Sequence, residues 1–161
     1  MDIYDEYCKV RAKSRYLEAV IKELQSYMTI LGIDYTSPSA GGKYGSVVES
    51  AVFKLIEKYE EFVELKLKES DIEMKLLIMI NDLPKDIMIN FLTYDLIENL
   101  PPDVVCEKIN KSPRSYQRLK MQTRQILKDW SSDPTYMKAV DIAYRENRNV
   151  RDVLREDFNY G

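Results

Sequence analysis

Apolar positions fall on helical spacing along most of this chain. Tyr7, Val10, Ser14, Leu17, Ile21, Leu24, Met28 and Leu31 alternate steps of three and four, an a/d heptad series. The series predicts one long amphipathic helix with Gly32 as its stop, about 40 Å long at roughly 1.5 Å per residue. Residues 34–46, DYTSPSAGGKYGS, read as the clear loop of the chain. A second series follows in Val48, Val52, Leu55, Tyr59 and Phe62, widened by Ala51, Ile56 and Val63. Lys54, Glu57, Lys58, Glu61, Glu64 and Lys68 form its solvated face. Two such helices joined by one loop pair most simply as an antiparallel hairpin. The rival is a homodimer, a parallel coiled coil of the first helix alone.

Ser70-Asp71-Ile72-Glu73 has the form of a capping box, so a new helix starts there or the second runs on through it. Ile72, Leu76, Leu77 and Ile80 continue the apolar pattern, and Asp82-Leu83-Pro84 punctuates it, with Pro84 suited to a first helical position. Ile87, Phe91, Tyr94, Leu96 and Ile97 then predict a short helix ended by Leu100-Pro101-Pro102. Asp103 is the expected cap of a two-turn helix over 104–110 that turns Val105, Cys106 and Ile109 inward. Asn110 sits where a left-handed turn is expected, and Ser112-Pro113 supplies a cap and a first-position proline for the next helix. Tyr116, Leu119, Thr123, Ile126 and Trp130 are its expected buried side. Asp133-Pro134 opens a helix with Met137, Val140, Ile142, Ala143 and Tyr144, and Val150, Val153, Leu154 and Phe158 mark another. This tail either docks on the body or serves a partner. The pattern predicts an all-α chain in three parts: a helical hairpin over 1–70, a small helical domain over 71–130 and a helical tail over 131–161.

Composition narrows the chemistry. Five Gly and six Pro against 32% charged and 45% hydrophobic residues suit a helical protein with a real core. There is no histidine, and Cys8 and Cys106 are too far apart in sequence to suggest a metal-ligand pair or a disulfide scaffold. No secretory h-region opens the chain, and the longest near-apolar run, 76–80, is too short to span a bilayer, so a cytoplasmic protein is expected. Gly41-Gly42-Lys43-Tyr44-Gly45-Ser46 lacks phosphate-loop spacing. The acid pairs Glu60-Glu61 and Glu156-Asp157 lie on solvated faces with no apolar pocket to tune them. No catalytic constellation, metal site or cofactor site emerges, which points away from an enzyme.

Charge supplies the functional signal. Residues 108–128, KINKSPRSYQRLKMQTRQILK, hold seven basic side chains and no acid in a chain of net charge −3, so the remainder carries −10. A focused basic surface of that kind is the electrostatic footprint of a nucleic-acid binder. Opposite the predicted buried side lie Arg114, Gln117, Arg118 and Met121, where a recognition helix offers side chains to base edges. Lys108, Lys111, Lys120, Arg124 and Lys128 flank that face and suit phosphates, with Ser112 and Ser115 at the helix start beside free backbone N–H groups. The alternatives are an ordinary solvated helix and a surface for an acidic protein partner.

The run Val105-Cys106-Glu107-Lys108-Ile109-Asn110-Lys111-Ser112-Pro113-Arg114-Ser115-Tyr116-Gln117-Arg118-Leu119 resembles the helix-turn-helix of sigma factor region 4. Cys106, Asn110, Ser112, Ser115 and Tyr116 hold the places where that pattern has a small residue, Gly, Ser, Thr and Val. Tyr116, in the place of a β-branched residue, demands a roomier core. Over about residues 5–128 the chain is similar to phage late-transcription regulators with a region-4-like domain. They share a long first helix, a loop like Thr36-Ser37-Pro38-Ser39-Ala40-Gly41-Gly42 and a next helix like Val48-Glu49-Ser50-Ala51-Val52-Phe53-Lys54-Leu55. The resemblance implies activation of phage late genes, such as the packaging operon, through double-stranded promoter DNA and RNA polymerase. It leaves open the operator, the sign of regulation, the oligomeric state and whether a protein antagonist acts on the chain.

Overall fold

The computed structural model describes residues 2–30 and 45–159. Among the described residues it is all-helical: α1 (Ile3–Ile30), α2 (Gly45–Asn81), α3 (Asp86–Leu92), α4 (Pro102–Ile109), α5 (Pro113–Ser131), α6 (Pro134–Glu146) and α7 (Val150–Asp157), with a π-helical turn, Thr93–Ile97, after α3. Leu31, the Gly32 stop, the 36–42 run and most of the 34–46 loop lie outside the described residues. Gly45 and Ser46, expected in that loop, already belong to α2. At Ser70 the helix runs on: no Gly or Pro interrupts the 37-residue α2 after Gly45, and a capping signature in a run of helix formers is overridden.

The chain divides into two compact units, Cys8–Ser70 and Met1–Tyr7 with Asp71–Gly161. In the first, α1 and α2 meet through Ile21, Met28 and Leu55, with Leu24, Ala51, Val52 and Phe62 packed around them. The Gln25 side-chain amide donates to the Tyr59 hydroxyl at 2.8 Å. The heptad reading of α1 holds: Tyr7, Val10, Ser14, Leu17, Ile21 and Met28 are all buried. On α2 the stripe is narrower than expected, because Ile56, Tyr59 and Val63 face outward.

The second unit is built on Leu76, Met79 and Ile80 from the end of α2, Phe91 and Leu92 from α3, Leu96 from the π turn, and one apolar face each of α4 to α7. Pro84 is not the first residue of α3. Lys85 precedes that helix in an extended conformation, and Pro84 lies in the turn before it. Asp103 likewise does not cap α4: Pro101 holds the capping position and Pro102 the first turn, because a proline there gives up only an N–H that has no helical partner. Toward the end of α5 the buried apolar residue is Leu127, with Ile126 half-buried beside it.

The tail packs on the body. Asp133 caps α6 by accepting from the Thr135 and Tyr136 N–H groups at 3.0 and 3.3 Å. Trp130 stacks on Tyr136 with ring centres 4.9 Å apart, half-buried as an anchor between α5 and α6. The Tyr136 hydroxyl and the Arg151 guanidinium both donate to Asp82, at 3.0 and 2.7 Å, fastening α6 and α7 to the turn after α2.

Candidate nucleic-acid interface

The basic window folds as two helices and a tight turn. Asn110 ends α4 at φ 55°, ψ 51°, a left-handed conformation that asparagine tolerates better than most side chains. The Lys111 N–H returns to the Cys106 carbonyl at 3.0 Å, which closes the helix end around that residue. One residue later Ser112 caps α5, its Oγ accepting from the Ser115 N–H at 3.2 Å, and Pro113 takes the first helical position. Helix, left-handed turn and capped helix therefore follow from residues that act locally.

Packing then fixes which face of α5 looks outward. Tyr116, Leu119, Thr123 and Leu127 are buried, and α5 lies against α3, α4 and α6. The room that Tyr116 needs comes from α3 and the π turn: the Phe91 ring meets it edge-on at 5.3 Å, and its hydroxyl donates to Asp95. Burial, and then that bond, hold the Tyr116 phenol above its ordinary pKa, so it remains a neutral donor.

On the opposite side Arg114, Gln117, Arg118 and Met121 are all exposed, Met121 at 74%. Steps of three and four put these four on one stripe, and the same spacing extends it through Gln125 to Lys128, both exposed. The Gln125 amide donates to Asp129 at 2.8 Å. Gln125 and the exposed Gln122 beside the stripe were missed by a reading based on charge. Their spacing from Gln117 and Arg118 was the available signal.

The flanking cations divide into two groups. Lys108 lies over the Tyr94 ring at 5.2 Å and Lys120 over Tyr116 at 5.8 Å. Arg124 is held twice from the first turn of α1, by Asp5 at 2.7 Å and by the Tyr4 ring at 4.9 Å. Lys111, Arg114, Arg118 and Lys128 form no ion pair among the described residues. Ser112 is exposed and Ser115 half-buried at the start of α5, whose first turn holds no acid. The charge window thus has an uncompensated end, at the turn and the start of α5, and a neutralised patch around Arg124.

No group of three or more His, Cys, Asp or Glu side chains able to hold a metal occurs among the described residues, and no helix there is long and apolar enough to cross a membrane. Compared with family models, with curated proteins and with solved structures, the chain finds no match.

Proposed function

We propose that the chain is a sequence-specific DNA-binding regulator whose α5 enters a major groove. The observation that carries this reading is the outward stripe of Arg114, Gln117 and Arg118 at the capped start of α5, with no acid in its first turn and, among the described residues, no ion pair on either arginine. Arg spans both acceptors of guanine and Gln pairs with adenine, each bidentate contact discriminating by about 1–3 kcal/mol. Lys108, Lys111, Lys120, Arg124 and Lys128, with the Ser112 and Ser115 hydroxyls, take phosphate contacts that set register without reading sequence. The resemblance to sigma region 4 and to phage late regulators supplies the context: late-gene promoters, with RNA polymerase as protein partner. The heptad spacing of the N-terminal helices, and not the resemblance, supplies the homodimer through them. The reading includes no catalytic role.

A gel shift against phage late-promoter duplex and a scrambled duplex of equal length, at two salt concentrations, tests it. Preferential binding is expected, with log K falling against log salt at a slope of about −3.6 from the four flanking cations that no carboxylate among the described residues holds. Failure to bind either duplex in low salt removes the reading.

One observation favours a second reading. Arg124 already accepts a protein carboxylate, Asp5. A basic helix that engages an acidic protein surface, RNA polymerase among the candidates, would extend that contact, and a pull-down with polymerase discriminates it.

A further inference from the structure

Helix α2 carries a second apolar face that the described residues of its own unit leave largely exposed. Leu55 turns toward α1, whereas Phe53, Ile56, Tyr59, Val63 and Leu67 are 63%, 49%, 42%, 52% and 68% exposed. Their spacing of three, three, four and four places them along one side of the helix, a ridge about 20 Å long. Scattered exposed apolar residues are ordinary, but a contiguous row of large ones marks an interaction surface. Glu60 and Glu64 lie on the same side of α2 as Ile56, Tyr59 and Val63.

The charges beside the ridge identify what covers it. Residues 57–64, EKYEEFVE, contain four acids and one base, and that base, Lys58, lies 3.4 Å from Glu61. Lys66, the next base, pairs with Glu69 at 3.3 Å. Glu57, Glu60 and Glu64 form no ion pair among the described residues. The middle of the ridge is therefore apolar with an acidic flank at Glu57, Glu60 and Glu64, and the exposed Lys54 and Lys68 stand at its two ends. A second copy would bring the same three acids to the interface and add like charge. A basic amphipathic helix satisfies both features, with apolar anchors three and four residues apart along the ridge and Lys or Arg over the glutamates.

We infer that the Phe53-to-Leu67 ridge of α2 docks a basic amphipathic helix of another protein. The site belongs to the unit Cys8–Ser70 and is independent of the DNA-binding reading, so either stands if the other fails.

The test titrates the full chain into a labelled Leu/Lys amphipathic peptide of about 18 residues, five helical turns. A scrambled Leu/Lys peptide and a Leu/Glu peptide of the same pattern serve as controls. Binding of the Leu/Lys helix about tenfold or more above both controls is expected. Val63→Ser with Leu67→Ser should weaken it by a similar factor, and so should Glu60→Lys with Glu64→Lys. All four positions are exposed, and circular dichroism checks that helix content is kept. The charge-reversed pair leaves the ridge intact, so it decides the matter should the serine pair lose helix. Equal binding of the scrambled peptide, or indifference to the charge reversal, overturns the inference. So does a self-associated dimer in sedimentation that Val63→Ser with Leu67→Ser dissolves, since a second copy would then cover the ridge.

Discussion

The Tyr116 hydroxyl donates to the Asp95 carboxylate, joining the inner face of α5 to the π-helical turn that follows α3. A bond between α5 and its support fixes the rotation of the helix about its own axis. In the proposed reading, that rotation decides whether Arg114, Gln117 and Arg118 reach base edges together.

Removing that hydroxyl should therefore cost stability first. Tyr116→Phe keeps the edge-on contact with Phe91 and leaves Asp95 without its donor. The expected loss is about 1–2 kcal/mol, the range for a hydrogen bond to a charged group that keeps some access to water. Urea denaturation of the variant and the parent protein measures it. No change in midpoint would mean that water replaces the tyrosine at no cost.

The same bond predicts an alkaline limit. Burial, then the Asp95 bond, raise the Tyr116 pKa, and burial, then the charge of Asp82, raise that of Tyr136. A raised folded-state pKa means that the fold favours the protonated phenol. That stability is fully present below the unfolded tyrosine value of about 10, and is lost as pH rises toward the higher folded values. Stability should hold from neutral pH to about pH 9 and fall above about pH 10. The fall should be shallower in Tyr116→Phe, read by denaturation at each pH. An equal fall in both proteins would exclude Tyr116 as a source.

Arg118 is the sharpest test of base readout. Arg118→Ala should weaken specific binding by about 1–3 kcal/mol, and non-specific binding by much less. Fluorescence anisotropy on promoter and scrambled duplexes reads the two losses side by side. Equal losses would make Arg118 a phosphate contact.

In the proposed DNA complex Asp5 would compete with phosphate for Arg124. The pair is about half exposed on both sides, so Asp5→Asn should change stability by less than about 1 kcal/mol. Freed of the carboxylate, Arg124 should raise DNA affinity a few-fold and steepen the salt slope toward one more phosphate, about 0.9 in log–log terms. An unchanged slope would place Arg124 away from the backbone.

How much of this was legible in the sequence depended on how local its cause was. The turn was legible because Asn110 and Ser112-Pro113 act on their immediate neighbours. The buried stripe of α1 was legible because its period is sustained over seven turns. Failures began where a distant element decides. Ile126 and Leu127 are adjacent apolar residues about 100° apart around the helix, and packing chooses between them. Ile56, Tyr59 and Val63 read as core by spacing, yet α1 covers only the side of α2 that carries Leu55. Asp5 and Asp95 join the basic helix from 119 and 21 positions away, which no charge count within 108–128 could register.

The Ile3 N–H donates to the Ser131 hydroxyl at 3.4 Å, across 128 positions of chain. In the same unit, α3 to α7 each pack on a neighbour close in sequence. The order of synthesis therefore separates two kinds of closure. Helices α3 to α5 can meet as they leave the ribosome, whereas the first turn of α1, at roughly 5–20 residues per second, waits on the order of ten seconds for its partners. Throughout that interval Arg124 has not been made, so Asp5 of the nascent chain waits without the cation that the finished fold places 2.7 Å from it.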